Sequence, residues 1–235
     1  MAGGAAGPPC ETWTVARERY FQEGHGPRPL RDSDNLAGFD VLKLHELKQV
    51  STGKQLLGVS VLLLLQAWIF GTFFMIEHPE EPTGERSASI WRLTCLRYLM
   101  GLPDIRRFRF LQGLFGAPSA KPTHLLFVRA PEDTEAIFFR CQTTNRAPSA
   151  VSIGRGEDGS FLTARLKVYP PAFCTAIAQC WWSHMLQRPC CIEPEQPDPQ
   201  FLDAMQSMHS RLDPTKAQGH GPDYNPKVAA GVDQN

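Results

Sequence analysis

Between Leu56 and Ile76 the chain runs for 21 residues without a charge, and no other segment limits its possible folds as much. Length alone would let this stretch cross a bilayer, for which about 20 apolar residues suffice. Its chemistry is not uniform, however. Leu56, Leu57, Val59, Val61 and Leu62 through Leu65 make a leucine-rich half that suits a helix, interrupted by Gln66 and preceded by Gln55. After Gly71 come Thr72-Phe73-Phe74-Met75-Ile76, β-branched and aromatic and closed by Pro79, which predicts a short buried strand. Helix, glycine and strand in that order belong to an α/β sheet, whose strands, covered on both faces, read as continuous apolar runs. A buried helix followed by a strand is therefore preferred to a single-pass membrane protein anchored by residues 56–76. The flanks leave that alternative open: Lys48 and Lys54 precede the run and Glu77, Glu80 and Glu81 follow it, a pattern that would suit a cytoplasmic N-terminus.

The full length of 235 residues predicts one domain with tails. Residues 1–9 are small and proline-rich, lack the alternation of a well-paired strand and are expected to be a flexible N-terminus. Residues 10–186 carry the domain. A helix is expected over Glu11 to Phe21, and a second, capped by Ser89, through Ile90, Trp91, Leu93, Leu96, Leu99 and Met100. His124 to Arg129 predicts a strand. Ala136 to Cys141 suits either another strand or the close of a helix starting near Pro131. Pro170 and Pro171 open a helix to about Leu186, with Phe173, Ile177, Trp181 and Met185 on one stripe and core packing expected for Trp181. Gly154-x-Gly156 suits a hairpin turn. Residues 187–235 form a proline-rich, largely disordered tail with at most one short helix near Asp198 to Leu212.

Lysine plus arginine and aspartate plus glutamate both number 24, so the formal charge is zero. A duplex-binding surplus is absent, and the densest basic cluster, Arg106, Arg107 and Arg109, is expected to be a solvated face. A noncatalytic nucleic-acid-binding module built on that cluster remains an alternative. Seven scattered cysteines, without C-x-x-C spacing, point to free thiols in a reducing, intracellular compartment, nucleus or cytoplasm, and to no metal. Cys95, Cys141, Cys174 and Cys180 are expected to be buried small hydrophobes. His25, His45, His124, His184, His209 and His220 show no ligating pattern.

Two short motifs carry chemistry. Gly7-Pro8-Pro9-Cys10 presents a thiol on a rigid turn, and Glu77, 67 residues later, ends the apolar strand; together they can supply a nucleophile and an acid partner. Pro9-Cys10-Glu11-x-Trp13-Thr14 resembles the Pro-Cys-Gln-x-Phe-Ser nucleophile loop of the cytosine-5 DNA methyltransferases. Ile76-Glu77-His78-Pro79 stands where that family has its Glu-Asn-Val motif, with His and Pro in place of Asn and Val. Further along, Gln112 to Lys121 followed by a strand, and Tyr169-Pro170-Pro171-Ala172 with Ala176-Ile177-Ala178, fall in the family's order. Ile76-Glu77-His78-Pro79, Gln112 to Ala117 with Lys121-Pro122-Thr123, Ser152-Ile153-Gly154-Arg155 and Leu166-Lys167-x-Tyr169-Pro170-Pro171 also resemble a set in uncharacterised methyltransferase-like proteins, many near mobile elements.

The resemblance spans about residues 7 to 186 and implies an α/β fold, a partial Rossmann-like methyltransferase half-domain with a few mainly parallel strands. It implies Cys10 as the nucleophile on C6 of a flipped cytosine and Glu77 as the partner of ring N3, with Gln112 and Lys121 as substrate-binding candidates. The methyl donor would be S-adenosylmethionine. Its site needs a glycine-rich turn after a first strand and an acidic residue about 20 positions on, and only six residues precede Gly7. The expectation is therefore a truncated, inactive relative whose partners are DNA and a chain supplying the cofactor-binding half, with a membrane as the alternative partner.

Overall fold

Gly71 turns the chain at a φ of +64°, a left-handed conformation that glycine adopts without steric cost, and it divides the uncharged stretch in two. Before it lies helix α2 (Leu44–Ile69) and after it strand β2 (Phe74–Pro79). The computed structural model describes residues 3–22, 26–149, 167–187 and 199. The other elements are β1 (Gly4–Ala6), α1 (Val15–Gln22), α3 (Thr94–Leu99), β3 (Ile105–Leu111), β4 (Pro122–Val128), α4 (Thr134–Cys141) and α5 (Pro171–Gln187). Short 3-10 turns occupy Ile90–Arg92 and Gln112–Phe115. Both the expected glycine-bearing hairpin near Gly154 and the short helix near Asp198 to Leu212 lie outside the described residues, apart from residue 199.

The fold is mixed α/β, with an open four-stranded sheet in the order β1-β2-β4-β3. One pair is parallel, β1 with β2; β2–β4 and β4–β3 are antiparallel. The expected mainly parallel arrangement is thus corrected. Only residues 112–121 join β3 to β4, too few for the crossover of a dozen or more residues that a parallel pair needs.

Successive side chains of β2 point to opposite faces. Phe74 and Ile76 pack with Leu57, Val61, Leu64 and Trp68 of α2 and with Trp91, Leu96 and Leu99 around α3. Phe73 and Met75 pack with Phe115, Phe127, Ile137, Phe138 and Phe173 beneath α4 and α5. Glu77 consequently falls on the aromatic face and His78 on the α2 face. By length and composition α2 could cross a membrane, yet half of its apolar window (50 %) is buried. Residues 74–76 belong to the sheet, so residues 56–76 form no single helix.

Several expectations are revised. Gly4–Ala6 form β1 within the segment expected to lack a paired strand. A Cβ on Gly3 would lie 2.5 Å from the Trp181 indole, and one on Gly4 would lie 2.7 Å from the Phe74 ring, so this strand requires residues that show no strand pattern. β3 was visible only as an arginine cluster. The helix expected from Ser89 breaks at Leu93, where ψ is 132°; Ser89 Oγ still accepts from the Trp91 amide at 3.3 Å. The segment ending at Cys141 is helix α4. On α5 the buried stripe is Phe173, Ala176, Cys180 and His184, because the small Ala176 and Cys180 let the helix seat closely, and Trp181 is 43 % exposed. Cys95 and Cys180 are buried, whereas Cys141 is half-buried and Cys174 exposed.

Candidate functional site

The register Ala6↔Ile76 places the next residues, Gly7 and Glu77, level with each other where β1 ends. The Gly7-Pro8-Pro9-Cys10 turn therefore leaves β1 beside the Glu77 carboxylate. β1 ends here, whereas β2 continues to Pro79, still paired with β4, so Glu77 lies within its strand just past the last residue that β1 covers. The turn closes tightly, the Trp13 amide donating to the Cys10 carbonyl at 2.8 Å.

Glu77 is buried, and both of its oxygens accept hydrogen bonds. Gln112 Nε2 donates to Oε1 at 2.9 Å, and the Tyr169 hydroxyl donates to Oε2 at 2.8 Å. Lys121 Nζ stands 3.7 Å from Oε1 and 5.3 Å from the centre of the Tyr169 ring. Gln112 is in turn held by Thr123, whose Oγ1 accepts from Nε2 at 3.2 Å; the Gln112 Oε1 is buried without a hydrogen-bond partner. The four residues expected from sequence thus lie together: Gln112 and Lys121 meet the Glu77 carboxylate, and Cys10 is near enough to feel the charges of Glu77 and Lys121.

Burial, and after it the Glu77 carboxylate, pushes the Cys10 thiol up to about 11, with Lys121 opposing. At neutral pH the sulfur is a thiol, and only the thiolate is nucleophilic. Burial first, then Glu77, also raises the Tyr169 hydroxyl far above its ordinary value, so it stays a donor. Tyr169 is the site residue that sequence reasoning missed. It lay inside a noted motif, but 92 residues separate it from Glu77, and nothing local in the sequence links them.

Other candidates sit elsewhere. All three arginines of the cluster are exposed; Arg107 pairs with Glu81 at 3.1 Å and Arg109 with Glu80 at 2.5 Å. A charged cavity of about 400 Å³, lined by Asp104, Arg106, Arg129, Glu132 and His184 among others, opens near the Val128 end of β4, away from Glu77. Trp181 and Trp182 are 43 % and 68 % exposed. Among the described residues no cluster of three or more His, Cys, Asp or Glu could hold a metal.

The cavity among the described residues is lined mostly by charged and polar groups, unlike the largely apolar slot in which an adenosine binds. No known protein family, characterised protein or solved structure matches the chain.

Proposed function

We propose that this chain is a relative of the cytosine-5 DNA methyltransferases that keeps the base-facing pair, the Cys10 thiol and the Glu77 carboxylate, and does not transfer a methyl group by itself. The observation carrying this reading is their convergence: two motifs 67 residues apart in the sequence come together where β1 ends beside β2, with Gln112 and Lys121 next to Glu77. A neutral thiol and a carboxylate already engaged on both oxygens fit a site with little intrinsic activity. DNA, with a cytosine extruded from its stack, is the substrate class. A second polypeptide would bind S-adenosylmethionine, and the free thiols suit an intracellular setting.

Addition of the Cys10 sulfur to C6 of cytosine makes C5 basic; C5 takes a solvent proton, and elimination of the sulfur releases the original C5 hydrogen. DNA carrying [5-³H]deoxycytidine reports this without a methyl donor. Slow tritium release that climbs as pH rises toward 11 and vanishes in Cys10→Ser is the expected result. No Cys10-dependent release at any pH overturns the claim that the pair keeps its chemistry toward cytosine. Micromolar binding of S-adenosylmethionine to the chain alone would overturn the inactive version.

A further inference from the structure

Residues 167–171 are tied both to the thiol turn and to β2. Lys167 Nζ reaches Glu11 Oε1 at 2.7 Å, and Glu11 directly follows Cys10 on the thiol turn. Two residues on, the Tyr169 hydroxyl donates to Glu77 Oε2 at 2.8 Å on the strand side. A third observation shows where that hydroxyl sits. A Cβ built on Gly7 would lie 2.2 Å from the Tyr169 hydroxyl oxygen and 3.6 Å from Glu77 Oε2. The phenol therefore occupies the gap between the backbone of the thiol turn and the carboxylate, and glycine at position 7 makes room for it. Downstream the segment is anchored, with Pro170 buried and the Tyr169 ring 5.5 Å from that of Phe173 in the aromatic core.

Any ligand that takes up Glu77 Oε2 from the side of the thiol turn must displace the phenol, which fills that space. We propose that residues 167–171 are a built-in gate: the Tyr169 hydroxyl serves as an internal ligand of Glu77, and the site opens when an incoming molecule with its own N–H or O–H donor takes its place on Oε2. This holds for whatever the site binds and does not rest on the pyrimidine reading. The two ties differ in strength. The Lys167–Glu11 pair is exposed, at 66 % and 55 % of the side chains, and such pairs contribute little. The Tyr169–Glu77 bond is charge-assisted and part-buried, so it is the main latch.

Alkylation of Cys10 by iodoacetamide measures opening directly, because the tryptic peptide ending at Arg17 contains no other cysteine. Tyr169→Phe keeps the ring and removes the latch; its Cys10 rate is expected to rise roughly tenfold, the size of one such bond. Gly7→Ala, which forces a methyl against the hydroxyl, is expected to do the same. Lys167→Ala is expected to raise the rate by about twofold or less, as for an exposed pair, and Lys167→Arg to leave it unchanged. Cys95 and Cys180, both buried elsewhere, must stay protected throughout. A Cys10 rate in Tyr169→Phe within about twofold of the parent, or a parallel rise at Cys95 and Cys180, overturns the gate. Tritium release from cytosine tests the proposed chemistry separately, so the two can fail independently.

Discussion

Glu77 and His78 are neighbours in one strand and face opposite sides of one sheet, and the two sides treat a buried polar group in opposite ways. Gln112, Tyr169 and Lys121 surround Glu77 with donors. His78 is 1 % exposed, and neither ring nitrogen has a hydrogen-bond partner of good geometry. Its ring meets Trp91 edge-on, with centroids 6.2 Å apart. A buried polar group without partners is tolerated only when uncharged, and an imidazole can be neutral where a carboxylate would need donors. The aromatic face therefore carries the polar cluster around Glu77 beside its core, while the α2 face carries packing.

Trp91 is the sharpest place to break that contrast. It is 1 % exposed, its indole Nε1 donates to the Pro79 carbonyl at 2.7 Å, and it lies between His78 and His124. Trp91→Ala is expected to cost about 3–5 kcal/mol, as other large-to-small aromatic truncations do. Glu77→Gln keeps the volume but sets one amide against the Gln112 amide and removes the negative charge that faces Lys121 Nζ at 3.7 Å. It is expected to cost only about 1–3 kcal/mol while abolishing any exchange at cytosine C5. Urea midpoints at constant m-value check both. If Glu77→Gln destabilises as much as Trp91→Ala, the division between a packing face and a face bearing a polar cluster fails.

Acid is the next test, because burial pushes the His78 imidazole down to about 3. In the unfolded chain a histidine titrates near 6.5. Between those values the unfolded chain binds a proton that the folded chain refuses, so stability is intact above pH 6.5 and declines as pH falls. The slope approaches about 1.4 kcal/mol per pH unit, or about 2 kcal/mol between pH 6.5 and 5. His124, also lowered by burial and then by Arg107, adds to the decline. His78→Leu should flatten most of this loss and leave stability at pH 7 equal or slightly higher, since it removes a polar group that has no partner. Unfolding free energies at pH 7 and pH 5 decide it, and an equally steep decline in His78→Leu would move the acid sensitivity elsewhere.

The elements legible in the sequence were those whose burial repeats along the chain. α2, β2, β4 and α5 show apolar runs or stripes, and Gly71 marks the break. The neighbourhood of Cys10 and Glu77 was approachable from sequence because each lies in a compact motif, although β2 runs on past Glu77 to Pro79. β1 was not, because close contact with Trp181 and Phe74 demands glycine and alanine, the residues that erase a strand pattern. β3 was hidden for a different reason. Its Arg107 and Arg109 alternate with Phe108 and Phe110, so the charges dominate a strand that is apolar on one side only. Strand direction has no compositional signature, which is why the antiparallel majority was unforeseen. Tyr169 was beyond reach because its role exists only once α5 is laid against the sheet.

Arg109 gives the smallest expected effect and the finest test of the comparison. Through the register Arg109↔His124 and His78↔His124 it continues the row of His78 to the sheet's outer edge, where its pair with Glu80 is 56 % and 29 % exposed by side chain. Solvent screens such a pair, so Arg109→Ala is expected to change stability by less than about 1 kcal/mol, with little further effect of salt. Its other role is at the edge itself. Charges on an outermost strand discourage pairing with another molecule, and β3 is the charged edge of this sheet, whereas β1 is short and uncharged. Replacing Arg106, Arg107 and Arg109 together by serine is therefore expected to leave the urea midpoint nearly unchanged while raising self-association in sedimentation velocity. A large loss of stability without association would instead make the arginine row part of the packing face.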